Sequence, residues 1–256
     1  VVNRHEVASV RTVSVVPLEG IPALREGDDL AGELHEAALR TGGLERDDVV
    51  VVAQKAVSKV EGRVVRIADV EPSDRARELA GPEADPRQLE VILRETVRVV
   101  RSRPPLLIAE TRHGFVCASA GVDASNAPAE GMLVLLPLDP DASARRLRAR
   151  LVELAGAEVA VIVSDSFGRA WRQGTTDVAL GVAGIAPLRD LRGTADAVGH
   201  VLRSTQIAVA DEIAAAAELV LGKARGIPAA IVRGIDVRGD GSAGELVMPP
   251  ERDLFR

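Results

Sequence analysis

The chain has 256 residues, enough for one large domain or two small ones, and its 46% apolar content supplies a packed core. A net charge of −6, an aromatic content of 2% and the lack of any tyrosine exclude a nucleic-acid scaffold or a base-stacking platform. The single cysteine, Cys117, excludes an intramolecular disulfide and a cysteine-based zinc site. Together with the absence of a membrane-length apolar run and of a signal-peptide layout, it leads to the expectation of a reducing, cytoplasmic compartment and no membrane partner.

Residues 11–17 (RTVSVVP) read as a strand, followed by a turn at 18–22. A helical pattern covers 28–42, with Asp28 or Asp29 as cap and Gly42-Gly43 as stop. Residues 48–53 (DVVVVA) read as a buried strand that runs into a helix start at 54–59. On that helix Lys55 and Lys59, four apart, share a face. Their repulsion costs about 0.2–0.5 kcal/mol, which either a bound anion removes or a solvated surface tolerates. A strand is expected at 63–68, amphipathic helices at 73–80 and 86–102, and short strands at 106–110 and 114–118 around a turn at 111–113. Residues 120–128 (AGVDASNAP) form an ordered loop in which Asp123 and Asn126 suit an Asx turn.

A strand at 132–137 is followed by an Arg-rich helix at 142–155 that covers it. Residues 188–200 are polar without a clear period, and 205–222 form an Ala-rich helix with acids early and Gly222-Lys223 at its close. Residues 228–232 read as a strand, and the Gly- and Asp-rich 234–244 as a mobile loop. Strands and helices alternate irregularly, so a mixed α+β fold is expected in place of a regular doubly wound sheet.

Residues 158–184 concentrate the chemistry. An apolar run, 159–163, empties into Ser164-Asp165-Ser166, Gly168-Arg169, Trp171-Arg172 and Gly174-Thr175-Thr176-Asp177. Such a transition is how an α/β protein presents reactive groups at a strand end. Asp165 and Ser166 are hard oxygen donors of the kind Mg²⁺ or Mn²⁺ prefers, or caps of a helix that follows the strand. Arg169 and Arg172 present planar forks suited to phosphate or carboxylate.

Basic residues are nearly all arginine; only Lys55, Lys59 and Lys223 are lysine, which marks those positions. No phosphate-binding G-x-x-x-x-G-K-[ST] loop, no G-x-G-x-x-G and no nucleophile elbow is present. His5, His35, His113 and His200 are scattered without ligand spacing. The residues alone lead to an oxygen-liganded divalent metal with a phosphorylated or carboxylated ligand.

At four segments the chain resembles the coenzyme F-420-0:L-glutamate ligase (gamma-glutamyl ligase) family: VVVAQKAVSKVEG at 50–62, AGVDASN at 120–126, SDSFGRAWR at 164–172 and QIAVADE at 206–212. They stand in the family's order, and the similarity runs over essentially the whole chain. The resemblance implies a GTP-dependent ligase that adds L-glutamate to the deazaflavin coenzyme F-420-0 and its glutamylated forms through an acyl phosphate. It implies Mg²⁺ or Mn²⁺ at two sites, K⁺ as a helping monovalent cation, and a homodimer. The implied fold is α+β, two interlaced sub-domains with mixed, largely antiparallel sheets.

Residues 1–245 would form the ligase domain. Residues 246–256 would be a tail, similar to the junction before the nitroreductase-like flavin domain of some actinobacterial relatives. A stand-alone ligase and an N-terminal half both remain open.

Carried over by position, Asp123 and Asp165 would hold one metal, and Ser166, where many relatives have Thr, would hold a second with Gln206. GTP contacts would come from Ile21, Pro22, Ala23, Leu24, Gln54, Lys59, Asn126 and the segment Ser204, Thr205, Gln206, Ile207, Ala208, Val209, Ala210 and Asp211. Gln54 departs from the small hydroxyl residue common at its position. Lys59 would join the metals in neutralising charge during phosphoryl transfer. Arg169 and Arg172 are candidates for gripping the polyglutamate or the substrate phosphate. The rival classes are a metal-dependent nucleotide phosphohydrolase or kinase, and a non-catalytic deazaflavin-binding protein.

Overall fold

The computed structural model describes residues 12–82 and 84–254. Its central sheet has five strands in the order β1 (Ser14–Pro17), β12 (Ala229–Arg233), β2 (Val49–Ala53), β8 (Ala160–Arg169) and β9 (Arg172–Ala183). Only the β2–β8 pair is parallel; the other neighbours are antiparallel. Four consecutive valines fill β2, and all are buried because both faces of the sheet are covered. Val50 and Val52 pack under α1 (Leu30–Leu39), α2 (Gln54–Val60) and α5 (Pro140–Ala155). Val49 and Val51 pack under α6 (Val209–Leu221). Each buried valine contributes about 1.5–3 kcal/mol, so this run is the centre of the core.

A third apolar cluster is built by α3 (Asp74–Ala80), α4 (Pro86–Arg94), the pair β3 (Val64–Arg66) with β7 (Met132–Val134), and the sheet β4 (Thr96–Arg103), β5 (Leu106–Thr111), β6 (Val116–Ala118). A short hairpin of β10 (Arg189–Asp190) and β11 (Gln206–Ile207) completes the list of strands. The architecture is mixed α+β with mostly antiparallel pairing, as the irregular alternation predicts. Among the described residues, no helix is long and apolar enough to cross a membrane. Of the sequence expectations, residue 11 of the first strand, His5, and the last two residues of the tail lie outside the described residues.

Several elements differ from the sequence reading. The helix expected over 86–102 stops at Arg94, and Thr96–Arg103 is a strand. Thr96 Oγ1 donates to the Ile92 carbonyl, closing the last turn, and the β-branched Thr96 and Val99 then pair with Thr111 and Ala109 of β5, with Val97 and Val100 at the register shifts between pairs. The helix expected from 205 begins at Val209, because Gln206 and Ile207 pair with β10. Helix α5 packs on β8, β9 and α1 instead of covering β7. The Gly- and Asp-rich stretch after Gly234 is held by backbone bonds from Ala186 to Val237 and from Gly241 to Ile185, and by the Ala243 amide on Asp141.

The largest departure is at 158–184. The chemistry does not sit at a strand end, and no helix follows for Asp165 or Ser166 to cap. Strand β8 runs on to Arg169 and returns at once as β9, with Arg169 opposite Arg172. The two-residue turn puts Trp171 at φ +58°, 81% exposed. The register slips by one between Val163↔Gly181 and Ser164↔Ala179, a bulge that re-aims the polar half of the hairpin.

Because β9 is the sheet's edge, its outward amides need partners. Val182 N–H donates to Asp141 Oδ1 of α5 at 2.7 Å, and Ala179 N–H to Asp211 Oδ1 of α6 at 2.9 Å. Gly181, between them, lets α5 touch the strand: a Cβ there would lie 2.2 Å from the Pro140 carbonyl oxygen. Gly181→Ala should therefore separate the helix start from the strand and lower stability in urea unfolding by about 1–3 kcal/mol. Gly168→Ala on the same hairpin, where a Cβ meets nothing within 4 Å, should stay within about 0.5 kcal/mol. Equal midpoints for the two variants would refute this account of the contact.

Candidate functional site

Parallel pairing sets Ala53, the last residue of β2, beside Ser164 of β8, so the residues that follow β2 open alongside the second half of β8. They form a cleft of about 380 Å³. Its apolar wall is Ile21, Pro22, Ala23 and Leu24 with Leu221, Ile227 and Pro228. Its polar side holds Gln54, Lys55, Lys59, Asn126, Asp165, Ser166, Asp177, Glu218 and Lys223. All three lysines of the chain line this one cleft.

Alternation along β8 sorts its side chains. Val161 and Val163 pack on the α1–α5 face, so Asp165 and Phe167 continue that face. Ser164 and Ser166 turn the other way and both donate to Asp177, at 2.8 and 2.7 Å. Asp177 is buried and lies opposite Ser166 across the hairpin. It orients both hydroxyls.

Asp165 is enclosed where several acids meet. Burial, with Asp177 and Asp123 adding repulsion against the pull of Lys55, pushes its carboxyl up to about 7. Asp123 goes the other way. Burial acts to raise it, but hydrogen bonds from Lys55 Nζ at 2.6 Å, from the Ser125 hydroxyl at 2.6 Å and from the Ser125 amide at 2.8 Å hold it well below the usual carboxylate range.

The Ser125 amide bond is the Asx turn that the loop composition predicts, and Asn126 beside it takes φ +55°. Asn126 Nδ2 donates to the Lys223 carbonyl, and Lys223 Nζ lies 3.5 Å from Asp123. Lys59 has its pKa lowered by burial and then by Lys55, and among the described residues no carboxylate stands within ion-pair distance of it. Glu218 is raised by burial and by Asp177, against Lys223. Gln54 is fully buried: its Oε1 accepts from Ser58, and its Nε2 has no hydrogen-bond partner among the described residues. Such an orphan donor is costly unless something accepts from it.

The structure thus brings together Ile21, Pro22, Ala23, Leu24, Gln54, Lys59, Asn126, Asp165 and Ser166 in the lining, with Asp123 one hydrogen bond behind Lys55. Arg169 and Arg172 stand exposed at the hairpin tip, outside that lining. Ser204, Thr205 and Ala208 are outside it too. Gln206 and Ile207 lie in β11, Val209 and Ala210 face the core under α6, and Asp211 holds the Ala179 amide.

Among the described residues, no three His, Cys, Asp or Glu side chains form a ready-made metal cluster. The donors present are two carboxylates and a hydroxyl, all hard oxygen, and the repulsion that Asp177 and Asp123 exert on Asp165 is one that a cation would relieve. Sequence reasoning missed Asp177, Glu218 and Lys223 as site residues. The rarity of lysine was a usable signal for Lys223. Nothing in the sequence announced the bulge that brings Asp177 onto Ser164 and Ser166.

The F420-0:gamma-glutamyl ligase family matches residues 20–234. The chain is 43% identical over 251 residues to the coenzyme F420:L-glutamate ligase of Methanothermobacter thermautotrophicus, covering 95% of this chain and 99% of that protein. It is 45% identical to the enzyme of the same name from Methanopyrus kandleri (95% and 97% covered) and 44% identical to that of Archaeoglobus fulgidus (95% and 96% covered). With the family match over most of its length and identities of this size along the whole of these relatives, the chain belongs to the F420-0:gamma-glutamyl ligase family.

Proposed function

We propose that the chain ligates L-glutamate to the deazaflavin coenzyme F-420-0 and to its glutamylated forms, using GTP and divalent metal. One observation carries the reading: the cleft where β2 ends beside β8 gathers every lysine of the chain around Asp165, Asp123 and Asp177. A carboxylate does not condense with an amine unaided at neutral pH, so it must first be activated. Phosphoryl transfer asks a protein for charge neutralisation and alignment more than for covalent chemistry. The cleft is built from those two things.

In this reading the apolar wall from Ile21 to Leu24 takes the guanine base, and the Gln54 Nε2 donor meets a nucleotide oxygen. Lys59 and Lys223 hold phosphate charge, and Asn126 contacts the nucleotide from the loop. Asp123 and Asp165 would hold one Mg²⁺ or Mn²⁺, and Ser166, oriented by Asp177, a second with Gln206. Bound there, the metals would neutralise the phosphate oxygens, with K⁺ as an accessory ion.

The acceptor carboxylate attacks the γ-phosphorus, the bond to the bridging β–γ oxygen breaks, and GDP departs. The glutamate amine then attacks the acyl carbon, and a proton and inorganic phosphate leave as the amide forms. Arg169 and Arg172, projecting at the hairpin tip, grip the acidic tail of the acceptor. A cytoplasmic homodimer belongs to the same reading.

The deciding experiment is mass spectrometry of the deazaflavin after incubation with GTP, Mn²⁺ and L-glutamate. Mass gains in glutamate steps that require GTP are expected; GTP hydrolysis without any gain would instead establish the phosphohydrolase class. Asp165→Asn should lose metal-dependent turnover by at least about 10²-fold while keeping its circular-dichroism spectrum. Full activity in that variant would remove the metal assignment. Alanine at Arg169 or Arg172 should raise the KM for glutamylated substrate about tenfold and leave the KM for GTP alone. Unchanged kinetics in both would take the hairpin tip out of the site.

A further inference from the structure

A second cleft lies on the other side of Asp165. Val178 is directly opposite Asp165 in the β8–β9 register, and Phe167 is two residues along β8 on the Asp165 face, about 7 Å away. Both line a cleft of about 270 Å³ with Phe115, Val116, Val247 and Met248. That volume is near the lower end of small-molecule sites, suited to a ring and not to a whole nucleotide. The nucleotide cleft reaches Asp165 from the β2 side, through Ala53, Gln54 and Lys55. This one lies on the β9 side, with Val178 and Phe167, the neighbours of Asp165, in its wall.

Its lining is unusual for this chain. Aromatics make up 2% of the sequence, yet two of the three phenylalanines are here, packed edge to face at 6.2 Å and 73°. His113 stacks on Phe115 at 5.5 Å and 23°. Val116 is 42% exposed and Met248 51% exposed, so apolar surface is left open to water beside a polar reaction centre. A methionine thioether and ring faces are the contacts a flat aromatic ligand uses. Among the described residues no lysine or arginine lines the cleft, and its ionisable residues are the acids Asp211 and Asp253. A polyphosphate is therefore disfavoured there, while an uncharged ring is not.

We propose that this cleft seats the tricyclic deazaflavin ring of the acceptor, so that GTP and acceptor approach Asp165 from opposite sides of β8. The assignment rests on the ligase reading above. The side-chain arm of the acceptor then runs from the ring past Phe167, bringing its terminal carboxylate to the γ-phosphate. Growth of the polyglutamate tail leaves the ring where it is, because only the arm beyond Phe167 lengthens. The nucleotide cleft never has to admit an aromatic acceptor, and its lysines stay committed to phosphate.

The test is a titration of the protein with coenzyme F-420-0, followed by the ligand's own fluorescence, with GTP affinity measured in parallel by calorimetry. Val116→Trp fills the cleft from a partly exposed position and should weaken deazaflavin binding by at least about tenfold. Met248→Ala, which removes contact without adding bulk, should weaken it about threefold. GTP affinity should stay within about twofold in both. Unchanged deazaflavin affinity in both folded variants overturns the proposal. So does a wild type without saturable deazaflavin binding, and so does competition between deazaflavin and GTP. If the wild type adds no glutamate, yet Val116→Trp abolishes deazaflavin binding, the ligase reading falls and the ring site stands. If glutamate addition proceeds with equal deazaflavin KM in wild type and both variants, the ligase reading stands and the ring site falls.

Discussion

The parallel pairing of β2 with β8 is the constraint on which the rest of the molecule depends. A parallel pair cannot be closed by a tight turn, so a long stretch of chain must intervene between its strands. Here that stretch folds into the third apolar cluster and returns through α5. In exchange, β2 ends beside the middle of β8, and Gln54 and Lys55 meet Ser164 and Asp165 although they are far apart in sequence. Burial of four valines on two faces makes the pair stiff. The groups beside it inherit that stiffness, which is what the phosphoryl transfer proposed above would require for alignment.

Charge balance in the cleft follows from the same geometry. Asp123 and Asp177 both lie close enough to act on Asp165, and Lys55 stands among them bonded to Asp123. Asp165 carries the penalty, since burial leaves its ionised form costly. Arginine would serve poorly in the place of Lys55, because its planar fork is larger and less easily moved than a compact ammonium on a flexible stem. A chain that uses arginine almost everywhere else keeps its lysines for this cleft.

Much of this was legible in the sequence, and the parts that were not share a cause. The β2 strand, the start of α2, the Asp29 cap of α1 and the Asx turn at Asp123 are local, and local chemistry announces them. The boundary at 94–96 was missed because amphipathic spacing continues past Arg94, whereas the strand there owes its existence to pairing with β5. The hairpin at 160–183 was misread as a strand end for a similar reason. Serines, glycines and arginines have weak strand preference, and the second half of β8 is extended only because β9 lies against it. Asp177 was visible as an acid within a dense stretch, but its hold on two serines depends on a bulge that leaves no mark in composition. The resemblance singled out Asp123, Asp165 and Ser166 where local patterns left alternatives open, and the structure brings the three to one cleft.

The hairpin also explains why a polar site can sit in the middle of a sheet instead of on the loops that follow it. A loop end would leave Asp165 and Ser166 free to move, and their positions would have to be established again at each turnover. On a strand, Asp165 is fixed by its neighbours in register, and Ser166 by the Asp177 bond. The edge strand that supplies Asp177 is itself held by carboxylates from α5 and α6. Gly181 permits the first of those contacts by admitting the α5 backbone. Support therefore passes from helix starts to strand edge to serine hydroxyls, with each step a short hydrogen bond or a backbone contact. In the arrangement proposed above, a site ordered in this way would face one ligand on the β2 side and another on the β9 side without rearranging between them, because Asp165 lines the first cleft and its register partner Val178 lines the second.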